Sequence, residues 1–295
     1  MCGIVGYVGK NNAQEFLLSG LKRLEYRGYD SAGVATLDQN QNPTLLRAVG
    51  KIVNLEAKIK DHYTSDHIGI GHTRWATHGN PSEINAHPHH VGSIFLVHNG
   101  IIENYKALKK ELSEKYQFKS ETDTEVLAAL IDSFYQESHD LLDSVTQALK
   151  LVSGTYGIAV MSVDDTEHLV VARSGSPLVI GVGEHETLIA SDASALIGNT
   201  KNAIYLNDGE VALISKDHVE VKTLDLQPVS VKVEKILTDL SAIQKGGYDH
   251  FLLKEIMEQP NSLTETLRGR INQAEHTVHL GGPNLSAKEL KSIRH

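Results

Sequence analysis

The chain has 295 residues, 40% hydrophobic and 22% charged, which is ordinary for a globular protein with a sizeable core. Its formal net charge of −9 argues against nucleic acid as a main partner, because no basic stripe compensates the acidic excess. The single cysteine excludes an intrachain disulfide. The N-terminus shows no signal-peptide pattern, and no apolar run is long enough to span a bilayer. We therefore expect a cytoplasmic protein without a membrane segment.

The N-terminus places the only cysteine directly after the initiator methionine. Cysteine is small enough at this position for an aminopeptidase to remove Met1, which would leave a thiol and a free α-amine on Cys2. An α-amine has a pKa of about 7.7–8.0, so it can act as the base for the thiol beside it. The apolar run at residues 4–8 predicts a strand that would hold this terminus against a sheet. A small buried hydrophobe is the alternative for Cys2, and position alone does not decide between the two.

The segment after this strand predicts a helix and then a hairpin. Apolar residues recur at helical spacing over residues 12–25. A polar turn that contains Arg27 and Asp30 leads into a strand at 34–37, and residues 45–49 are expected to pair back after a cluster of turn residues. Arg27 and Asp30 are open to two interpretations, a solvated turn pair or a functional pair.

A strand at residues 68–74 is expected to deliver its last side chains into a long loop, residues 75–90. Loops of this length inside compact domains are usually functional or disordered. The loop holds the only tryptophan, Trp75, which suits a mobile lid together with the glycine and proline near it. A strand of the buried type follows at 94–98 and is expected to end at Asn99-Gly100.

Helices and then alternating strands fill the chain up to about residue 226. One helix is predicted from residue 104, a capping box of Thr122 and Glu125 begins a second at 126–135, and a third covers 141–152. Helices inserted between two runs of antiparallel strands indicate a layered α+β fold. A period of two predicts the later strands near 156–163, 168–173, 178–182, 187–190, 203–206 and 210–215.

The character of the chain changes after about residue 227. Residues 227–250 are interpreted as a charged linker, and a helix from 251 is expected to stop or kink near Pro260 and then resume. The remaining segment is too short to be a domain and carries apolar residues that nothing in it would cover. We therefore predict a domain at 1–226, a linker at 227–250 and the start of a truncated domain at 251–295.

Polar groups at the predicted strand and helix ends could converge on Cys2. Arg74 offers a planar fork suited to a carboxylate, and Asn99-Gly100 offers the side-chain amide and backbone N–H that an oxyanion hole requires. Asp123 could receive an ammonium group. With a thiol for a carbonyl carbon, these groups describe a pocket for an amino-acid amide such as glutamine. Each has a plainer interpretation as well: a strand-end charge, an ordinary turn and a helix-dipole partner, respectively.

A group of histidines in and around the loop raises the alternative of a metal-dependent amidohydrolase. No H-E-x-x-H motif and no carboxylate at a familiar zinc spacing accompanies them, which favours satisfied or solvated side chains. No Walker loop or G-x-G-x-x-G motif indicates a nucleotide site, and we expect neither a metal nor a cofactor. The histidines are His72, His78, His87, His89, His90 and His98.

A set of motifs runs along nearly the whole chain: residues 2–6 (CGIVG), 24–33 (LEYRGYDSAG), 72–79 (HTRWATHG), 85–89 (NAHPH), 98–104 (HNGIIEN), 120–125 (SETDTE), 172–181 (ARSGSPLVIG) and 254–260 (KEIMEQP). This set resembles the N-terminal glutaminase domain of the glutamine–fructose-6-phosphate amidotransferases, the glucosamine-6-phosphate synthase family. Other class II glutamine amidotransferases share the Cys2 start and the Asn-Gly pair, but not the whole set.

The resemblance implies an N-terminal-nucleophile hydrolase fold, a four-layer αββα sandwich in which two antiparallel sheets stack between helical layers. It implies Cys2 as the nucleophile and Asn99 with Gly100 as the oxyanion hole. The implied substrate contacts are Arg74 and Thr77 at the glutamine carboxylate, Asp123 at its α-amine with Gly100 nearby, His78 through its backbone, Trp75 in the loop that gates the ammonia route, and Arg27.

The implied activity is hydrolysis of L-glutamine to glutamate and ammonia through a γ-glutamyl thioester on Cys2. In the full-length family the ammonia converts fructose 6-phosphate to glucosamine 6-phosphate, so fructose 6-phosphate is expected as a partner only there. A homodimer is expected for the full-length family, with a monomer left open for this chain. The residues leave two alternatives, the metal-dependent amidohydrolase and a non-catalytic glutamine-binding module.

Overall fold

The computed structural model describes residues 2–75, 79–236, 248–267, 271–272, 277–278 and 292. The chain forms two compact units, Met1–Thr238 and Asp239–His295. Within the described residues, no helix combines the length and the apolar character needed to cross a membrane.

The first unit contains both strands and helices up to α5 (Leu141–Lys150) and consists mainly of strands after that helix. Its strands are β1 (Gly3–Gly9), β2 (Ser31–Leu37), β3 (Pro43–Val49), β4 (Ile68–Arg74), β5 (His89–Val91), β6 (Ile94–Ile102), β7 (Gly154–Ser162), β8 (Leu169–Ser174), β9 (Val179–Val182), β10 (Glu186–Ala190), β11 (Asn202–Tyr205), β12 (Glu210–Ile214), β13 (Val219–Thr223) and β14 (Glu234–Lys235). Its helices are α1 (Ala13–Leu24), α2 (Ile52–Asp61), α3 (Tyr105–Leu112), α4 (Asp123–Ser138) and α5 (Leu141–Lys150), with 3-10 turns at Glu25–Arg27 and Ala193–Ala195.

These strands form two antiparallel sheets. The larger sheet has the order β14-β11-β9-β10-β1-β4-β2-β3, and the smaller has the order β13-β12-β8-β7-β6-β5. Strand β1 lies inside the larger sheet, paired with β4 on one side and with β10 on the other. Because the backbone of β1 is hydrogen-bonded along both edges, the start of the chain is held as firmly as an interior strand.

The side chains of β6 show how the layers stack. Ile94 and Leu96 belong to an apolar cluster shared with α4 and α5, whereas Phe95 and Val97 belong to a cluster shared with the larger sheet. Successive side chains of a strand point to opposite faces, so the smaller sheet is covered on both sides. Each of these four side chains is fully buried, which stabilises the fold by about 1.5–3 kcal/mol per side chain.

Helices α1 and α2 contact the larger sheet, and α4 and α5 contact the smaller one. Asn12 begins α1 by accepting a hydrogen bond from the N–H of Glu15 at 3.1 Å. Gly20 then allows α1 to approach β1 closely, since a Cβ at Gly20 would lie 2.9 Å from Cγ1 of Val5. The four-layer αββα arrangement of two antiparallel sheets that the sequence predicts is confirmed.

Strand β6 is longer than predicted. The expected end at Asn99-Gly100 is wrong, because Asn99 pairs with Gly157 and Gly100 with Tyr156, and the strand continues to Ile102. The partner strand β7 satisfies the backbone of this segment, and its pairing overrides the preference of Asn-Gly for turns.

Four helices or strands of the first unit were not predicted: α2, β5, β13 and β14. Helix α2 carries a detectable signal, since Ile52, Leu55 and Ile59 follow helical spacing and are its buried residues. The predicted linker at 227–250 starts in the first unit, where β14 pairs with β11. Residues 237–247 lie outside the described residues.

The second unit contains helix α6 (Phe251–Leu267) and two short strands, β15 (Ile271–Asn272) and β16 (Thr277–Val278), which pair antiparallel. The helix continues past Pro260 to Leu267, in agreement with the expectation that it resumes after this residue. A proline inside a helix costs one backbone hydrogen bond but does not have to end the helix.

Histidine rings are buried in the first unit close to the end of β4. The ring centroids of His72 and His87 lie 4.2 Å apart, and those of His87 and His89 lie 4.9 Å apart. Burial lowers the pKa of His72 and of His89 to about 3, and it lowers the pKa of His87 and of His98 as well. These side chains are therefore neutral near pH 7.

This burial predicts a loss of stability in acid. Between about pH 3 and 6.5 the unfolded chain binds a proton at His89 that the folded chain excludes, so the free energy of unfolding falls as the pH is lowered through 6.5. One such histidine contributes at most about 1.4 kcal/mol per pH unit to the slope of the free energy of unfolding against pH. We expect His89→Gln to reduce the slope between pH 4 and 6 by up to this amount, measured by urea denaturation at stepped pH.

The matched control is His218→Gln, because His218 is exposed on the turn between β12 and β13. It should leave the slope as in the unsubstituted protein. Equal slopes for His89→Gln and the unsubstituted protein would contradict the assignment of acid sensitivity to the buried rings.

Candidate active site

A cavity of about 280 Å³ opens where the start of β1, the end of β4 and the C-terminal part of β6 meet the start of α4. This volume is near the lower end for small-molecule sites and suits a ligand of amino-acid size. The cavity is lined by Cys2, Arg27, His72, Arg74, Trp75, His87, His98, Asn99, Gly100, Ile101, Thr122, Asp123, Thr124, Thr155, Ser176 and Pro177.

Cys2 immediately precedes β1 and is partly buried. Its Sγ accepts a hydrogen bond from the backbone N–H of Trp75 at 3.1 Å. Burial raises the pKa of the Cys2 thiol, while the Trp75 N–H and the charge of Arg74 act to lower it. Formation of the thiolate at neutral pH therefore depends on these neighbours and on a base beside the thiol.

Asn99 connects the two sheets at this point. Its Nδ2 donates a hydrogen bond to the carbonyl oxygen of Cys2 at 3.1 Å, so an amide donor stands beside the thiol residue. The next residue, Gly100, has a φ of +135°, and a Cβ there would collide with the carbonyl oxygen of Thr155. Only glycine fits this position, because the conformation and the space both exclude a side chain.

Arg74 is the last residue of β4 and is 4% exposed. Its Nη2 donates to the carbonyl oxygen of Gly79 at 3.2 Å. Burial lowers the pKa of Arg74, and the negative charges of Cys2 and Asp30 oppose that shift. A guanidinium stays protonated in proteins, so the cavity wall carries a buried positive charge suited to a carboxylate.

Asp123 is the first residue of α4 and is 5% exposed. Thr122 begins the helix by accepting a hydrogen bond from the N–H of Glu125 at 3.3 Å. One carboxylate oxygen of Asp123, Oδ2, accepts from the N–H of Ile102 at 2.8 Å. A carboxylate fixed in this way at the cavity wall is suited to an ammonium group.

Trp75 and Arg27 lie at the same cavity. The indole of Trp75 is 47% exposed and meets the ring of Tyr29 edge-on at 5.5 Å. Nη1 of Arg27 donates to Oδ2 of Asp192 at 2.8 Å, an ion pair that fixes this arginine at the wall. The predicted residues Thr77 and His78 lie outside the described residues.

The structure thus brings Cys2, Arg27, Arg74, Trp75, Asn99, Gly100 and Asp123 to one cavity. It adds residues that the sequence did not single out, including Thr124, Thr155 and Ser176. Thr124 adjoins Asp123, and Ser176 belongs to the motif at 172–181, so both had a signal in the sequence. Thr155 had none, because only the pairing of β6 with β7 carries it to the cavity.

Three of the buried histidines lie within hydrogen-bond distance of neighbouring polar side chains. Nε2 of His72 lies 3.0 Å from Oδ1 of Asn99, Nδ1 of His98 lies 3.1 Å from Oγ1 of Thr124, and Nε2 of His89 lies 2.9 Å from Oγ1 of Thr122. In the part of the chain that the structure describes, no group of three or more His, Cys, Asp or Glu side chains is placed to hold a metal ion.

Comparison with known proteins assigns this chain to a family. The chain matches the model of the glutamine amidotransferase domain over residues 32–247. Similar curated proteins are named glutamine–fructose-6-phosphate aminotransferase [isomerizing]. The protein from Chlorobaculum tepidum is 49% identical over 100% of this chain and 49% of its own length, and that from Methanosarcina acetivorans is 46% identical over 99% and 49%. The chain spans about half the length of the curated relatives it matches.

Solved structures agree with this assignment. A glutamine phosphoribosylpyrophosphate amidotransferase from B. subtilis, complexed with ADP and GMP, matches with a TM-score of 0.66 and 27% identity over 77% of this chain and 50% of that chain. A glutamine aminotransferase class-II domain protein from Silicibacter pomeroyi shares the fold, with a TM-score of 0.53 and 19% identity over 77% and 100%. The N-terminal-nucleophile hydrolase fold predicted from the sequence is confirmed. The chain belongs to the glutamine amidotransferase domain family.

Proposed function

We propose that this chain hydrolyses L-glutamine to glutamate and ammonia with Cys2 as the nucleophile. The observation that carries the proposal is the hydrogen bond from Nδ2 of Asn99 to the carbonyl oxygen of Cys2, at 3.1 Å. It sets an amide donor beside a thiol in a cavity that also holds a buried guanidinium and a buried carboxylate. Membership in the glutamine amidotransferase domain family supports the same chemistry.

The reaction begins after removal of Met1, which exposes the α-amine of Cys2 as the base. The amine takes the thiol proton while Sγ bonds to the γ-carboxamide carbon, and the electron pair of the C=O bond moves to oxygen. When the tetrahedral intermediate collapses, the C–N bond breaks and ammonia leaves with the proton from the α-ammonium. Water then attacks the γ-glutamyl thioester with the amine again as base, and breakage of the C–S bond releases glutamate and the thiol.

Asn99 and Gly100 stabilise the oxyanion of this intermediate, through the side-chain amide and the backbone N–H. Donors aimed at a developing negative charge act most strongly where water is excluded, and Asn99 is buried. Gly100 also lets the backbone approach the substrate closely, because no side chain stands in the way.

The two charged ends of glutamine match the two buried charges of the cavity. Arg74 with Thr77 binds the carboxylate, Asp123 binds the α-ammonium, and His78 contacts the substrate through its backbone. Trp75 belongs to the loop that gates the ammonia route, and Arg27 supports the cavity wall through its ion pair with Asp192.

For the longer protein we propose the activity that its relatives' names state, transfer of the ammonia to fructose 6-phosphate. Residues 1–226 are then the glutaminase domain, 227–250 the linker and 251–295 the start of a sugar-isomerase domain. We also propose a cytoplasmic location, in keeping with the single cysteine, and a homodimer for the longer protein.

The first prediction concerns the nucleophile. Cys2→Ala should abolish glutamine hydrolysis and leave the fold intact, because one small side chain at a chain end contributes little packing. Alanine at position 2 also permits removal of Met1, so the variant isolates the loss of the thiol. The measurement is glutamate release together with the circular dichroism spectrum, and more than a trace of activity in a clean preparation would rule out this mechanism.

A second prediction separates binding from chemistry. Asn99→Ala should lower kcat by about 10²–10³, the usual cost of one oxyanion donor. Arg74→Ala should mainly raise KM for glutamine, because the α-carboxylate keeps its charge throughout the reaction. Arg74→Lys keeps the charge without the planar fork, so its KM should lie between that of the unsubstituted protein and that of Arg74→Ala. Steady-state kinetics decides, and an effect of Asn99→Ala on KM alone would make Asn99 a ground-state contact.

A third prediction concerns the α-amine. A preparation that retains Met1 should release almost no ammonia from glutamine, because the Cys2 nitrogen is then an amide and cannot accept a proton. The same sequence with Met1 removed should be active. The N-terminal mass and the glutaminase rate are measured on the same preparation. Activity with Met1 fully retained would show that another group is the base.

A further inference from the structure

The side chain of Asn99 is held from two sides. Nδ2 donates to the carbonyl oxygen of Cys2 at 3.1 Å, and Oδ1 lies 3.0 Å from Nε2 of His72. Asn99 is mostly buried and His72 is fully buried. The amide donor proposed for the oxyanion therefore has a second partner, on the side away from the thiol residue.

The hydrogen-bond partners determine which way the amide faces. The carbonyl oxygen of Cys2 can only accept, so the NH₂ group of Asn99 must face it and Oδ1 must face His72. Since Oδ1 also only accepts, Nε2 of His72 must carry the hydrogen. Burial lowers the pKa of His72 to about 3, so the ring is neutral and Nδ1 is the unprotonated nitrogen.

The imidazole of His72 is supported on both sides. Its strand, β4, lies between β1 and β2, with Ile4 and Gly33 as register partners. The ring stacks on that of His87 at 4.2 Å between centroids with 30° between planes. The backbone of His87 lies close to Gly33, where a Cβ would collide with the His87 carbonyl oxygen. Because the strand and the stacked ring are both packed, Nε2 is held in place.

We propose that His72 is a positioning residue for glutamine hydrolysis, whose Nε2–H holds the Asn99 amide with its NH₂ group toward the reacting carbonyl. This inference rests on the proposed role of Asn99 in the oxyanion hole. The NH₂ group has two hydrogens, so it can donate one to Cys2 and present the other to the substrate. Without His72 the amide can turn over, and an oxygen would then face the developing negative charge and repel it.

The expected effect is on the chemical step. Loss of a single neutral hydrogen bond that orients a catalytic group should lower kcat on the order of tenfold. The Michaelis constant for glutamine should change by less than about twofold, because His72 does not contact the charged ends of the substrate in this proposal. His72→Gln places an amide N–H within reach of Oδ1 and should restore kcat to within about threefold.

The test is a double-mutant cycle on the chain with Met1 removed. His72→Phe removes the donor and keeps a ring to stack on His87, and it is made alone and together with Asn99→Ala. If His72 acts through Asn99, the substitution should lower kcat about tenfold alone and less than twofold in the Asn99→Ala background. His72→Leu replaces His72→Phe in the cycle should the larger ring prevent folding.

His89→Phe is the matched control. It changes another buried imidazole of the same cluster, one that contacts His87 but bonds Thr122 instead of Asn99. A general packing defect should lower kcat by the same factor with and without Asn99→Ala. The effects of His89→Phe and Asn99→Ala on kcat should therefore be additive as free energies.

The outcomes separate this inference from the proposed function. An equal loss from His72→Phe in both backgrounds, with Asn99→Ala alone lowering kcat as expected, would overturn the positioning role and leave the oxyanion role of Asn99 intact. A normal kcat for Asn99→Ala would instead remove Asn99 from the oxyanion hole, and the role of His72 with it. Failure of His72→Gln to recover activity would also count against the donor role.

Discussion

The pairing of β1 along both edges is the constraint on which the site depends. Chain ends are usually poorly ordered, yet Cys2 directly precedes a strand that is hydrogen-bonded to β4 and to β10. The side chain of Ser191 adds a further bond, accepting from the N–H of Ile4 at 3.0 Å. The register sets Gly3 opposite Thr73, which brings Arg74 to the thiol. A slip of one residue would turn every side chain of β1 to the other face.

Stacking of the two sheets then provides the rest of the site. Asn99 lies on the smaller sheet and donates a hydrogen bond to Cys2. Asp123 lies at the N-terminus of α4, the helix that packs on that sheet. A buried guanidinium and a buried carboxylate in one cavity are costly to desolvate unless each has a counter-charge. The charges of Arg74 and Asp123 are opposite in sign to the carboxylate and the ammonium of the amino acid proposed as substrate, so one cavity suits both ends of that molecule.

The sequence predicted best what depends on local pattern and residue type. Helix α1 and strand β4 have strong periodicity, and the cavity contains each candidate that the structure describes. The prediction failed where a distant partner decides the outcome: β7 extends β6 beyond Asn99 despite the turn preference of Asn-Gly, and the same pairing alone brings Thr155 to the cavity. The clustered histidines raised metal ligation only as an alternative that the sequence did not favour, and the burial of His72, His87, His89 and His98 is not visible in their spacing.

The position of β1 between early and late strands also sets an order of events during synthesis. Its partner β10 spans Glu186–Ala190, so at about 5–20 residues per second the ribosome needs on the order of 10–40 s to add it. One edge of β1 stays unpaired through that interval, so β1 cannot be enclosed on both sides until β10 has been made. The topology therefore makes the first strand synthesised one of the last to be enclosed.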